Sequence, residues 1–252
     1  PTSTPMASIP RSLAINPADQ VMLRFVHAAP DVGRISAEAE GLLLASNLDF
    51  GAASGLTGIE SGEYTLTFQD EFNTPIFEQP ITLIGGQTRI LLLTGSPQNL
   101  QLSEYNENTD ALGADEVRIT FINGIPASTF SIQRDSTDII SSLEFGQMSP
   151  GVITSAEDTT YTVLENEQPL FTFPVEPRSR FNETLVITGT REEPEFITFD
   201  ERAPSTAFIR FIHASQTLPV VDIYLDGGLA TSNIGYSRSS ARQRITAQTF
   251  DF

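Results

Sequence analysis

The chain of 252 residues contains no cysteine and no tryptophan, and because all 14 of its basic residues are arginine it contains no lysine. Without cysteine there is no disulfide and no thiolate chemistry, so small domains must be held by their cores or by neighbours. Without tryptophan the commonest sugar-stacking platform is gone, leaving 5 Tyr and 17 Phe. Without lysine, Lys–Asn isopeptide cross-links and Lys-based covalent polymerisation are excluded. There are only 2 His, which with no Cys cannot build a His/Cys zinc site. Acids outnumber bases 32 to 14, a formal charge of −18, so the chain lacks the basic face that nucleic acid or an anionic membrane would need. No run approaches the roughly 18 apolar residues of a membrane span, and no membrane insertion is expected. The chain opens at Pro1 with no visible signal peptide, which reads as a processed or trimmed start.

What is present is a repeat. The stretch IRFIHASQTLPVVDIYLDGGLATSNIGYS from Ile209 has a counterpart at Leu23 (LRFVHAAP, then SNLDFG from Ser46) and another at Ile119 (ITFINGIP, then SSLEFG from Ser141). Leu23 to Ile209 and Phe50 to Tyr236 are both offsets of 186, whereas the middle copy is displaced by 96 at Ile119 and by 95 at Phe145. A fixed period of this kind indicates a tandem array. Short apolar or alternating runs, such as Met22–Val26, Glu63–Phe68, Arg89–Thr94 and Val220–Leu225, are punctuated by Gly, Pro and Asn turns, the cadence of an all-β sandwich. The run before Asp226-Gly227 is the strongest hairpin signal. No window carries a helical stripe.

These boundaries divide the chain into an extended N-terminal tail (1–20), β-sandwich 1 (21–105), a linker (106–116), β-sandwich 2 (117–199), a second linker (200–206) and a partial β-sandwich 3 (207–252). The short linkers predict a semi-rigid rod. Within the tail, Ala7, Ile9, Leu13 and Ile15 recur at even spacing while Pro10 and Pro17 disfavour helix. Such an extended segment with one apolar face suits pairing with an exposed sheet edge. The third copy stops at Phe252, about half a unit short of the other two.

Few residues point to chemistry. His27 and His213 hold the same repeat position, with Asn123 between them. A strand-end imidazole bonding a nearby loop explains them better than a base or ligand, because they sit in different units. No Gly-x-Ser-x-Gly elbow or phosphate-cradling glycine loop occurs, and no carboxylate pair stands out among the 32 acids. The acidic linker (Glu104, Glu107, Asp110, Asp115, Glu116) is a candidate for weak calcium binding, although it lacks the ligand-and-glycine spacing of a dedicated loop. Phe50, Phe145 and Tyr236 recur once per unit and read as core. Asn182-Glu183-Thr184 is a single glycosylation sequon.

The run IRFIHAS at Ile209, then PVVDIYLDGG from Pro219 and SNIGY, resembles the bacterial cell-surface family known as domain of unknown function 4397. Its pattern is a strand ending in His-Ala-Ser, a Pro, Val-Asp-Val-Tyr-like residues and Asp-Gly. The first copy keeps Phe25, His27, Ala28, Pro30 and Ser46-Asn47 but has Ser36, Ala37 and Glu38 for the Asp-x-Tyr segment, and the second has Asn123-Gly124 for His-Ala. The resemblance implies a secreted or surface-attached β-sandwich, often in tandem, and no activity. The expectation is therefore a fold of tandem immunoglobulin-like β-sandwich domains, the last one incomplete, in a non-enzymatic extracellular or cell-surface protein without cofactor. A half sandwich exposes core and strand edges, so the expected partner is another copy of the chain, joined head to tail into a polymer. The expected contact residues are Ala7, Ile9, Leu13 and Ile15 of the tail, and Ile209, Phe211, Tyr236, Arg238, Arg242, Arg244, Phe250 and Phe252 of the third unit. The alternative is a monomeric adhesin or glycan-binding spacer.

Overall fold

The computed structural model describes residues 19–204, 206–225, 227–241 and 243–246, with the side chains of 206–208 and 243–246 outside that description. The first unit contains β1 (Gln20–His27), β2 (Ile35–Ala39), β3 (Leu42–Leu48), β4 (Thr57–Glu60), β5 (Gly62–Gln69), β6 (Pro75–Leu83), β7 (Thr88–Ser96) and β8 (Asn99–Asn106). They form two sheets of order β4-β1-β7-β8 and β3-β2-β5-β6. The second unit repeats this with β9 (Glu116–Asn123), β10 (Thr129–Arg134), β11 (Thr137–Glu144), β12 (Val152–Ser155), β13 (Thr159–Glu165), β14 (Gln168–Val175), β15 (Phe181–Gly189) and β16 (Pro194–Arg202). Its sheets are β12-β9-β15-β16 and β11-β10-β13-β14, the same order eight strands later. The all-β sandwich expected from the strand cadence is what forms.

In the third unit β17 (Thr206–Ile209), β18 (Val220–Leu225), β19 (Gly228–Gly235) and β20 (Gln243–Thr246) make the pairs β17-β20 and β18-β19. These reproduce β1-β4 and β2-β3. Even the irregularity is shared: the ladder slips between Ile35 and Ala37, between Phe130 and Ile132, and between Val221 and Ile223. The expected hairpin at Gly227 is present, with Leu225 opposite Gly228. Among the described residues nothing stands where β5 to β8 stand in the first unit.

Each sandwich closes the same way. β1 lies between β4, antiparallel, and β7, parallel, with Met22 opposite Thr88 and His27 opposite Leu93; β9 and β15 pair likewise, Asn123 opposite Ile187. Alternation along β1 sends Val21, Leu23 and Phe25 into a core with Leu66, Phe68, Leu91 and Leu93. Val117, Ile119, Phe121, Tyr161, Leu185 and Ile187 do the same in the second unit.

The two sandwiches do not follow one another as a rod. The alternate residues of the same strands build a third core: Val26, Ala28, Ile90 and Leu92 pack on Ile122, Val186 and Ile197, all at most 2% exposed. The β1 and β9 sheets are thus covered on both faces, which is why Ile90 to Leu93 is an unbroken apolar run instead of an alternating one.

The expected linkers are also ordered. β8 continues to Asn106, its Leu100 and Leu102 turned to the core and its one acid, Glu104, paired with Arg89. Leu112 is 1% exposed, and its N–H donates to the Pro204 carbonyl.

Candidate functional site

The recurring His/Asn position is a loop staple. His27 is fully buried at the end of β1. Its Nδ1 accepts from the Ala29 N–H and its Nε2 faces the Val32 and Gly33 carbonyls at 3.2 and 3.0 Å. His213 repeats this with the Ser215 N–H and the Leu218 carbonyl. In the second unit Asn123 Oδ1 accepts from the Ile125 N–H while Nδ2 donates to the Leu143 carbonyl and Ser128 Oγ. An amide offers one acceptor and a donor group, as a neutral imidazole does. Asn therefore serves where His stands elsewhere. Burial lowers the His27 pKa, opposed by the Gly33 and Val32 carbonyls.

The aromatic companions are not core, contrary to expectation. Phe50 and Phe145 are half-buried and Tyr236 is 46% exposed. Phe50 and Tyr236 each set an edge against the staple histidine, with ring centroids 6.0 and 6.4 Å apart.

The seam between the sandwiches carries the buried charges. Arg24 NH2 meets Glu201 at 2.9 Å, NH1 donates to the Ser54 carbonyl, and the guanidinium lies over the Phe199 ring. Beside it both Glu107 carboxylate oxygens are buried without a hydrogen-bond partner. Desolvation raises the Glu107 pKa and Glu201 adds to this, while Arg24 opposes it. Arg118, 4% exposed, donates to Asn182 Oδ1 at 2.7 Å and to the carbonyls of Asn108 and Asp110. Gly151 leaves room for its stem, since a Cβ there would lie 2.6 Å from Arg118 Cδ.

Two readings of the sequence change here. Asn182 is 5% exposed and bonded to Arg118, so the sequon is not open to glycosylation in the folded chain. The linker acids do not converge: Glu104 pairs with Arg89, Glu116 accepts from the Gly113 N–H and Glu107 faces the seam. Among the described residues no group of three or more His, Cys, Asp or Glu is placed to hold a metal ion.

A groove of about 470 Å³ opens between the sheet edges of the second unit. Its floor includes Phe173 and Phe196, whose ring centroids are 4.0 Å apart. Its rim has Arg178 paired with Asp200, and Glu183, which accepts from the Arg178 N–H at 2.7 Å. Burial raises the Glu183 pKa, and Arg178 opposes the shift. The groove offers aromatic and polar surface without a nucleophile and base set against each other.

The third unit is where exposure departs from the pattern. Leu23 and Phe25 are 0% exposed, yet their equivalents Ile209 and Phe211 are only half-buried. Val221 and Ile223, at the positions of Ile35 and Ala37, are also half-buried, and Leu229, Tyr224 and Val220 are about half exposed.

Residues 21–130 match the family described as a domain of unknown function (DUF4397). Over that stretch the chain is similar to this family. The match begins in β1, contains the whole first sandwich, and passes β8 to end in β10. The matched stretch carries the His27 staple and the first sandwich's half of the seam. No curated protein matches the chain. Among solved structures, a family 26 carbohydrate-binding module of Eubacterium rectale Amy13K, in complex with maltoheptaose, is 12% identical and covers 70% of this chain and 95% of its own. Its TM-score is 0.24, too low to transfer an arrangement or a ligand.

Of the expected contact residues, Ile209 and Phe211 lie side by side at the positions of the buried Leu23 and Phe25, and Tyr236 and Arg238 are exposed on the loop that follows β19. Arg244 lies in β20 opposite Phe208. Ala7, Ile9, Leu13, Ile15, Arg242, Phe250 and Phe252 lie outside the described residues.

Proposed function

We propose that this chain is a non-catalytic structural protein of the cell surface or its exterior, joined to further copies through its third unit. One observation carries the reading: the inward positions that are sealed in the first two units are half open in the third. Strand edges and apolar surface left without cover favour pairing with an added strand. The N-terminal segment of a second copy, with Ala7, Ile9, Leu13 and Ile15 at even spacing, has the pattern such a groove accepts. A head-to-tail contact of this sort propagates into fibres. The test is light scattering of the full chain beside a version lacking residues 1–18. Multimers that disappear on deletion support the reading, and assembly unchanged by deletion sinks it.

The alternative is a glycan-binding spacer acting as a monomer, and the groove at Phe173 and Phe196 favours it. Aromatic floor and polar rim are the two elements such sites combine. Binding of oligosaccharides by a monomer, lost in Phe173→Ala, would decide for it.

A further inference from the structure

The seam between the two sandwiches has the form of a symmetric dimer written into one chain. Thr188 and Thr94 hold equivalent places, each just past the residue paired with the staple position (Ile187 opposite Asn123, Leu93 opposite His27). Ala28 and Gly124 are likewise equivalent, each just after its staple. The Thr188 hydroxyl donates to the Ala28 carbonyl across the seam. The Thr94 methyl in turn faces Gly124, 3.7 Å from where a Cβ would stand. Exchanging the units brings equivalent positions into contact, as in an isologous interface, although of the two threonines only Thr188 bonds across the seam and the Thr94 hydroxyl donates to the Gln101 carbonyl in its own unit.

The opening strand presents this face through every second residue: Arg24, Val26 and Ala28 in the first unit. The third unit carries the same set, Arg210, Ile212 and Ala214. Val26 and its second-unit equivalent Ile122 are 1% and 0% exposed, whereas Ile212 is 70% exposed. Arg210 and Ala214 are exposed as well, while His213 between them is turned inward and buried.

We infer that the outward face of the stretch after β17, formed by Arg210, Ile212 and Ala214, is a pairing surface for the third unit of a second copy, back to back as the first two units pair. The occupant follows from the seam. The first two units associate through this face, and among the described residues the third unit's is left uncovered, so the matching face is that of the third unit in another copy. A small residue at Ala214 permits the close approach that Ala28 and Gly124 permit. The contact is separate from the strand-filled inner face proposed above and does not depend on it.

Sedimentation velocity over a range of concentrations reads this directly on the full chain, on Ile212→Asp, and on the chain lacking residues 1–18. The expected result is a reversible dimer contact that survives deletion of 1–18 and weakens at least tenfold in Ile212→Asp. Ile212→Ser, a milder change, should weaken it less, and circular dichroism melts should match wild type because the position is exposed. Self-association lost on deletion but untouched by Ile212→Asp would leave strand donation standing and overturn this inference. A chain that stays monomeric throughout would overturn both.

Discussion

The hydroxyl of Thr188, 0% exposed, donates to the carbonyl of Ala28 at 3.0 Å, joining residues 160 positions apart across the seam between two sandwiches. The bond lies beside a core made by both units. Residues 19–204 should therefore unfold as one cooperative block, with one calorimetric transition. Thr188→Val keeps the shape and strands the Ala28 carbonyl, costing about 1–2 kcal/mol. Ile122→Asp, which buries a charge in the seam, should split the single transition into two.

The staple makes a prediction about interchange. Asn at position 27 has the acceptor for the Ala29 N–H and the donor for the loop carbonyls, as Asn123 has in its own unit. His27→Asn should stay within about 1 kcal/mol of wild type, while His27→Leu should lose about 2–3 kcal/mol by leaving those groups buried and unpaired. The folded pKa of His27 lies below its ordinary value, chiefly through burial. Its contribution is present above the unfolded pKa of about 6.5 and is lost as pH falls through the lower folded value. Denaturation midpoints of His27→Asn measured below pH 6.5 should fall less steeply than those of wild type.

Glu107 has the opposite sign. Its carboxylate is buried without a partner and its pKa is raised, first by desolvation and then by Glu201. A raised folded pKa gives stability below the unfolded value and removes it as pH climbs through the folded one. Glu107→Gln should accordingly raise the melting temperature at pH 7, by about 2–4 °C if relief of the buried charge is about 1 kcal/mol. The gain should vanish near pH 4. A variant no more stable than wild type at pH 7 would show that Glu107 is solvated in solution.

Arg118 ties the connection between the units to the second sandwich through the carbonyls of Asn108 and Asp110. Arg118→Ala should cost about 2–3 kcal/mol, since Asn182 Oδ1 and two carbonyls lose a charged donor. It should also open residues 106–116 to limited proteolysis before the sandwiches themselves are cut. Gly151→Ala, which crowds the Arg118 stem, should expose the same stretch more weakly.

The strand cadence and repeat were legible because inward alternation and turn residues are local signals. Leu66 and Phe68 lie inside as their spacing implies, and the hairpin at Gly227 forms as Val-Asp-Ile-Tyr-Leu before Asp-Gly implies. The end of β8 was hidden by Glu104, which reads with the acids after it as part of a linker. The seam was hidden for a different reason. Val26, Ile90 and Leu92 are unremarkable strand residues one by one; only the unbroken apolar run Ile90 to Leu93 in β7 signals a second layer. The equivalence of Asn123 to His27 was legible by position alone. That an amide can fill an imidazole's hydrogen-bonding role appears only once its partners are seen.

The parallel pairing of β1 with β7 has a consequence for synthesis. Met22 waits for Thr88, 66 residues later, before its sheet can form on that side, and contacts so distant in sequence slow folding. As the chain leaves the ribosome, the first strand has only β4 to hold it, and its outer face stays wet until the second sandwich is finished. Of the strands in its own sheet, the one made first is secured last.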